Sequence, residues 1–259
     1  MSMTKKMTHP KLPKQIAAMR ESGRMLAVVQ RAVASAVVPG ISTKDLANIA
    51  AKELKALGGE APFLGHEGFP DVICLSVNDE VVHGIPSTQK ILKEGDIIGI
   101  DFGVRYQGMI TDGAISVPVG KLTDAKVQKL LDVTKESLAR GIAVVRDGVR
   151  VGDISYAIES YIKSQGNYGI PRELVGHGVG EYLWEEPNIP NYGVAGTGPV
   201  LSAGMTVAIE PMVTLGTSRI KVDDDDWTIR SLDGSWAAHF EHTVLVTLDG
   251  AEILTRVDP

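Results

Sequence analysis

Five acidic or imidazole side chains stand in strand-like or glycine-rich surroundings, where a charge is costly to keep: Asp101, Asp112, His177, Glu210 and Glu241. In IIGIDFGVRYQGMITD, residues 97–112, Ile97, Ile98 and Ile100 are β-branched, Tyr106-Gln107-Gly108 has turn character and Met109-Ile110-Thr111 is extended again. This pattern predicts a hairpin. With its turn centred between Tyr106 and Gln107, Asp101 falls directly opposite Asp112 on one face of the sheet. Opposed Cβ atoms lie roughly 4.5–5.5 Å apart, so the carboxylates repel unless one takes up a proton or a cation is bound. Two exposed acids flanking a hairpin are the alternative. Glycines bracket His177 in VGHGVG, a composition that lets a backbone or ligand come close, although a lone histidine in such a turn is more often structural. Glu210 closes the apolar run MTVAIE just before Pro211, and alternation along HFEHTVLV sets His239, Glu241 and Thr243 on one face. An acid on an apolar strand is costly unless paired or metal-bound.

Four carboxylates with one imidazole form an oxygen-rich donor set that suits Mn, Fe or Co better than a thiolate-type structural zinc site. The set also admits bridging carboxylates and two ions. Two ions about 3.5–4 Å apart can activate a bridging water and clamp the tetrahedral intermediate of a hydrolysis. Spacing along the chain does not itself bring the five together; the elements between them must do so.

Those elements are legible as a repeated order. Apolar residues at helical period from Pro13 predict a long helix stopped by Pro39-Gly40, and Ser42-Thr43 opens a second that ends at Gly58-Gly59. An irregular stretch, APFLGHEGFP, precedes a buried strand over 72–77, a turn at Asn78-Asp79-Glu80 and then the acidic hairpin. Leu122-Thr123-Asp124 caps a helix running to about Val145, and Asp153 starts another that ends near Gly166, before the strands bearing His177, Glu210 and Glu241. Helix, helix, strands and acidic strands thus occur twice, which predicts a pseudo-duplicated α+β domain with helices over a curved antiparallel sheet. Residues 1–12 read as a flexible tail and 13–259 as one domain, since no linker rich in Pro, Gly or Ser divides them.

Composition narrows the classes. The 259 residues, 44% hydrophobic and 22% charged, suffice for a large core, and a net charge of -6 argues against a nucleic-acid binder. The single cysteine, Cys74, excludes an internal disulfide framework and fits a reducing compartment. No stretch approaches the roughly 18 apolar residues of a membrane span, and the N-terminal residues lack the apolar core of a secretory signal, so the expected location is the cytoplasm. The acidic run Asp223 to Asp226 reads as a solvated turn.

Taken together, SVNDEVVHGIP, DFG with an aspartate eleven positions after Asp101, GHGVG, MTVAIEPMV and DDDWTIRSLDGSWAAHFEHTVLVT resemble the type I methionine aminopeptidases from about Leu12 to Val257. The resemblance implies the pita-bread (creatinase/aminopeptidase) fold and a dinuclear metallohydrolase centre. It also implies removal of the initiator methionine from nascent polypeptide N-termini whose second residue is small, through a metal-bridging hydroxide attacking the scissile carbonyl. Carried over position by position, Asp101, Asp112, His177, Glu210 and Glu241 match the ligands of two divalent ions (Co, Mn, Fe, Ni or Zn), with Asp112 and Glu241 bridging. Glu210 also matches a proton shuttle, and His83 the histidine beside the substrate amide. Phe63, His66, Phe69, Cys74, Leu183 and Trp227 match the methionine pocket. Trp184 stands where the family has a histidine directed at the substrate carbonyl; its indole has one N–H donor and no titratable group. Gly113-Ala114, His66 and Leu183 are further departures from the pattern. His239 is expected beside the ligands rather than among them. The expected state is a monomer, with transient ribosome association through Lys5, Lys6, Lys11 and Lys14 as a further partner. A proline-specific dipeptidase of the same fold, and a metal-free binding protein, are the competing readings.

Overall fold

The computed structural model describes residues 6–256. Helix α1 (Pro13–Ser35) begins with proline at its first position and with the Gln15 side chain accepting from the Leu12 N–H at 2.9 Å. It stops four residues before Pro39, which disfavours helical backbone in the residue preceding it. Helix α2 (Thr43–Leu57) is capped by Ser42, which accepts from the Asp45 N–H, and ends at Gly58 in the left-handed conformation, φ 78°. Strands β1 (Cys74–Val77), β3 (Ile97–Tyr106) and β4 (Met109–Pro118) form one antiparallel sheet in the order β1-β3-β4, with β2 (Glu80–Val82) intervening in sequence. Met25, Leu26, Val29, Val33, Leu46 and Leu54 of the two helices are buried against Leu75, Ile98, Ile100 and Phe102 of that sheet.

The second half repeats the plan. Helix α3 (Ala125–Ala143) takes Asp124 as its cap, and α4 (Val151–Gln165) starts two residues before Asp153 because the Asp153 carboxylate accepts from the Arg150 N–H as a third-position capping partner. Strands β5 (Val175–Gly178), β6 (Glu185–Pro190), β7 (Thr206–Ile209), β8 (Met212–Thr214), β9 (Ile220–Val222), β10 (Ile229–Ser231), β11 (Ala237–His239), β12 (His242–Val246) and β13 (Ala251–Ile253) follow. They build a five-stranded sheet β13-β12-β7-β5-β6, a three-stranded sheet β2-β10-β9 and the pair β11-β8. Among the described residues all pairings between these strands are antiparallel, in four hydrogen-bonded sheets rather than one continuous sheet.

Three local expectations are corrected. The hairpin turn is Gln107-Gly108, with φ 48° and 80°, so Tyr106 pairs with Met109. Two positive φ values suit the two-residue turn whose twist matches the strands, and glycine takes the second of them readily. Asp101 therefore pairs with Ala114, and Asp112 with Gly103. The offset is two residues, and because side chains alternate with period two both carboxylates keep the same face and meet diagonally. The strand expected through Glu241 is broken at Phe240-Glu241, between β11 and β12. Finally, the expected tail is anchored at two of its residues: Thr8 and Lys11 are buried, and Thr8 N–H donates to Glu186 O at 2.6 Å. The first five residues of that tail, Lys5 among them, lie outside the described residues. No helix among the described residues is long and apolar enough to cross a membrane.

Candidate metal centre and substrate cavity

Two broken strands create the acidic wall. β7 and β12 pair with Ile209 opposite His242, β8 and β11 pair with Met212 opposite His239, and the ladder is interrupted between them at Glu210-Pro211 and Phe240-Glu241. Pro211 has no N–H to give a ladder, which fits a change of sheet at this point. The freed backbone of Glu241 instead bonds to the other half: its N–H donates to Ala114 O at 2.8 Å and its carbonyl accepts from Ala114 N–H at 3.3 Å. Ala114 is the cross-strand partner of Asp101 and lies two residues from Asp112, so this one connection brings Glu241 to both aspartates. Thr243 Oγ1 fastens the same junction, accepting from Asp112 N–H and donating to Asp112 O, both at 2.8 Å.

Asp112, His177 and Glu241 offer donor atoms all within 4.8 Å of one another, and so do Glu210, His239 and Glu241. Glu241 belongs to both sets. His177 Nδ1 is 2.9 Å from Gly178 O, which as an acceptor fixes the proton on Nδ1 and leaves Nε2, 3.4 Å from Glu210 Oε1, with its lone pair toward the acids. His239 Nε2 lies 3.7 Å from Glu210 Oε2 and 3.8 Å from Glu241 Oε2, too far for hydrogen bonds. Among the described residues, Asp101 Oδ1, Glu241 Oε1 and His239 Nε2 are buried without a hydrogen-bond partner. Burial, with Asp112 second, holds the Asp101 carboxyl well above the usual range, and burial raises Asp112 to about 7 against a lowering by the Gly113 N–H. Glu241 is also raised, by burial first and then by Asp112, Glu210 and Asp101. Orphaned buried oxygens together with mutual repulsion fit a cationic occupant.

One cavity of about 230 Å³, far more than a single water needs, is lined by all five of these candidate residues and by His83, Phe63, His66, Phe69, Cys74, Leu183, Trp184 and Trp227. The apolar side is a chain of edge-to-face rings: Phe63 with Phe69 at 6.5 Å, Phe69 with Trp227 at 5.2 Å, and His66 with Trp184 at 4.8 Å. Cys74 pairs across the ladder with Asp101. Its thiol is pushed well up by burial and by the surrounding carboxylates, so it packs as a small apolar group. His83, at φ 59°, sets its ring 6.2 Å from that of Trp227, and burial lowers it to about 4. His239, expected beside the ligands, completes the second donor set, and Val82, Glu173, Leu174 and Met212, which no sequence motif marks, also line the cavity. The signal for His239 was its place two residues before Glu241.

Residues 17–248 match metallopeptidase family M24. The chain is 45% identical over 247 residues to methionine aminopeptidase 1 of Bacillus subtilis, covering 95% of this chain and 98% of that protein. The solved methionine aminopeptidase of Thermotoga maritima superposes with a TM-score of 0.95 at 45% identity, over 97% of this chain and all (100%) of that one. A prolidase from Pyrococcus furiosus, 22% identical, superposes with a TM-score of 0.77 over 96% of this chain and 66% of its own, a likeness of fold alone. The repeated two-helix halves are thus those of the pita-bread fold, and the buried acids at their junction lie in a chain that belongs to metallopeptidase family M24, as one of its type I methionine aminopeptidases.

Proposed function

We propose that this cavity removes the N-terminal methionine from polypeptides whose second residue is small. In this reading Asp101, Asp112, His177, Glu210 and Glu241 would hold two divalent ions. The observation that carries it is the membership of Glu241 in two donor sets at once, one with Asp112 and His177 and one with Glu210 and its neighbour His239, together with the buried Asp101 Oδ1 and Glu241 Oε1, which accept no hydrogen bond. Divalent ions supply Lewis acidity toward a carbonyl oxygen and bring the pKa of water toward neutrality.

The chain's own groups do the rest. The free N-terminal amine of the substrate would sit beside this centre as a neutral donor, which restricts cleavage to the first residue. The ring-lined wall of Phe63, Phe69, Leu183, Trp184 and Trp227 takes the unbranched thioether side chain. His83, neutral near pH 7, offers one N–H to the substrate amide. Glu210 is held by Asn191, whose Nδ2–H donates to Glu210 O at 3.1 Å. Its carboxylate takes the proton released as water adds to the scissile carbonyl and delivers it to the departing amine. We take the substrate to be the nascent chain in the cytoplasm, met by a monomer.

Metal-stripped protein titrated with Mn, Co or Fe under reducing conditions is expected to release methionine from Met-Ala-Ser, but not from Met-Phe-Ser, and to leave Xaa-Pro peptides intact. Preferential Xaa-Pro cleavage, or turnover without metal, would overturn the reading.

A further inference from the structure

The glycines around His177 admit the protein's own N-terminal segment. A Cβ on Gly178 would stand 2.7 Å from Glu186 O and 2.9 Å from Thr8 Cβ, and one on Gly180 would stand 2.4 Å from Lys11 Cε. Lys11 lies in the space this leaves, its side chain 0% exposed, and its ammonium donates to Thr8 Oγ1 at 3.0 Å and Glu185 Oε2 at 3.1 Å. Glu185 is 3% exposed, and its other oxygen accepts from Tyr182 N–H at 3.2 Å. The neighbouring contacts repeat the pattern. Lys6 Nζ donates to Tyr182 Oη at 2.7 Å, Gln15 Nε2 to Glu181 Oε1 at 2.9 Å, Thr8 N–H to Glu186 O at 2.6 Å and Glu186 N–H to Lys6 O at 2.8 Å. Residues 181, 182, 185 and 186 are all tied to the segment 6–15. Between them are Leu183 and Trp184, whose side chains line the cavity.

A buried ion pair is weak evidence of added stability, because desolvation offsets much of its attraction; its distinctive property is that it tolerates one geometry. We infer that Lys11 and Glu185 are positioning residues for the substrate: the pair fixes the Leu183-Trp184 wall, so that the N-terminal segment forms part of the methionine pocket. This rests on the function proposed above. Neither residue touches the acids of the metal centre, so the effect is expected in substrate binding rather than in metal content.

The test combines kinetics with a probe that needs no turnover. Lys11→Met and Glu185→Gln are each expected to raise KM for Met-Ala-Ser about tenfold, with kcat within about twofold and metal content unchanged. The double variant should be no worse than either single one, since both remove the same contact. In protein labelled with 5-fluorotryptophan, the ¹⁹F resonance assigned through Trp184→Phe should shift or broaden in both variants, while those of Trp227 and Trp236 stay in place. If Lys11→Met is too unstable for kinetics, Glu181→Ala, which loses the Gln15 hydrogen bond and the attraction to Lys6, should move the same resonance and raise KM about two- to threefold. An unmoved Trp184 resonance with unchanged KM in folded variants would overturn the inference, as would loss of kcat together with metal. Failure of the unmodified protein to cleave Met-Ala-Ser would refute the function instead, and the resonance would still decide the positioning role.

Discussion

At Glu241, burial first and then Asp112, Glu210 and Asp101 oppose ionisation, and the residue is still held at 3% exposure by its backbone bonds to Ala114. Such a group is kept at a cost to the metal-free fold. Glu241→Gln is therefore expected to raise the melting temperature of metal-free protein by a few degrees, at about 2–4 °C per kcal/mol for a chain of this size. It should also lower kcat/KM with saturating metal by at least about 10²-fold. Differential scanning fluorimetry beside peptide assays checks both, and a variant that is less stable without metal would contradict the repulsion argument. At this scale the sequence was informative. Each acid stood out because its neighbours were apolar, and the structure brings every singled-out side chain to one cavity. The place of His239 beside Glu241 follows from alternation, whereas its nearness to Glu210 depends on the β8–β11 pairing, which no local pattern reports. The glycines of GHGVG were recognised as a place of close approach, but what approaches is set by a segment about 170 residues earlier, at Thr8 and Lys11.

At the scale of elements, the helix ends followed their capping chemistry closely, as Ser42, Gly58 and Asp124 show. Strands were harder. Alternation told which face Asp101 and Asp112 share but not their partners, because register follows the turn, and Gln107-Gly108 was mistaken by one residue. The breaks at Glu210-Pro211 and Phe240-Glu241 were half visible: Pro211 announced the first, and nothing in HFEHTVLV announced the second. Since the hairpin's register rests on a left-handed Gly108, φ 80°, Gly108→Ala should destabilise the fold by about 1 kcal/mol and lower the melting temperature by about 2–4 °C. It should do so with KM little changed, because a two-residue turn far along the strand still holds Asp101 and Asp112 on one face. Thermal melts and Met-Ala-Ser kinetics on the variant check this; a large change in metal content would mean that the register had slipped.

Across the whole molecule, the first half contributes Asp101 and Asp112, and the second contributes His177, Glu210 and Glu241. Without a cation, Asp112 has a folded pKa of about 7 against its ordinary 3.8, and Asp101 and Glu241 are raised as well. A carboxyl raised on folding contributes stability that is fully present below its ordinary pKa and is lost as pH rises through the folded value. Metal-free protein should accordingly melt at a higher temperature near pH 6 than near pH 8, as far as these groups decide it. Bound metal keeps these carboxylates ionised in the folded state, as they already are in the unfolded chain, and should flatten the slope. Metal at 100 times its dissociation constant should add about 2.7 kcal/mol. Melting curves across that range, with and without Mn, would show it, and parallel curves would contradict it. The duplicated plan of two helices and acidic strands was readable from periodicity, while the packing of the N-terminal segment against β6 was not, since a lysine such as Lys11 reads as a surface residue until its partner Glu185 is known.

The most direct measurement is anomalous diffraction from crystals of the Mn-loaded protein. Two anomalous peaks are expected in the cavity, both in contact with Glu241 and Asp112, and with His177 and Glu210 among the remaining ligands. No peak in the cavity, or a single ion that leaves Glu241 untouched, would contradict this.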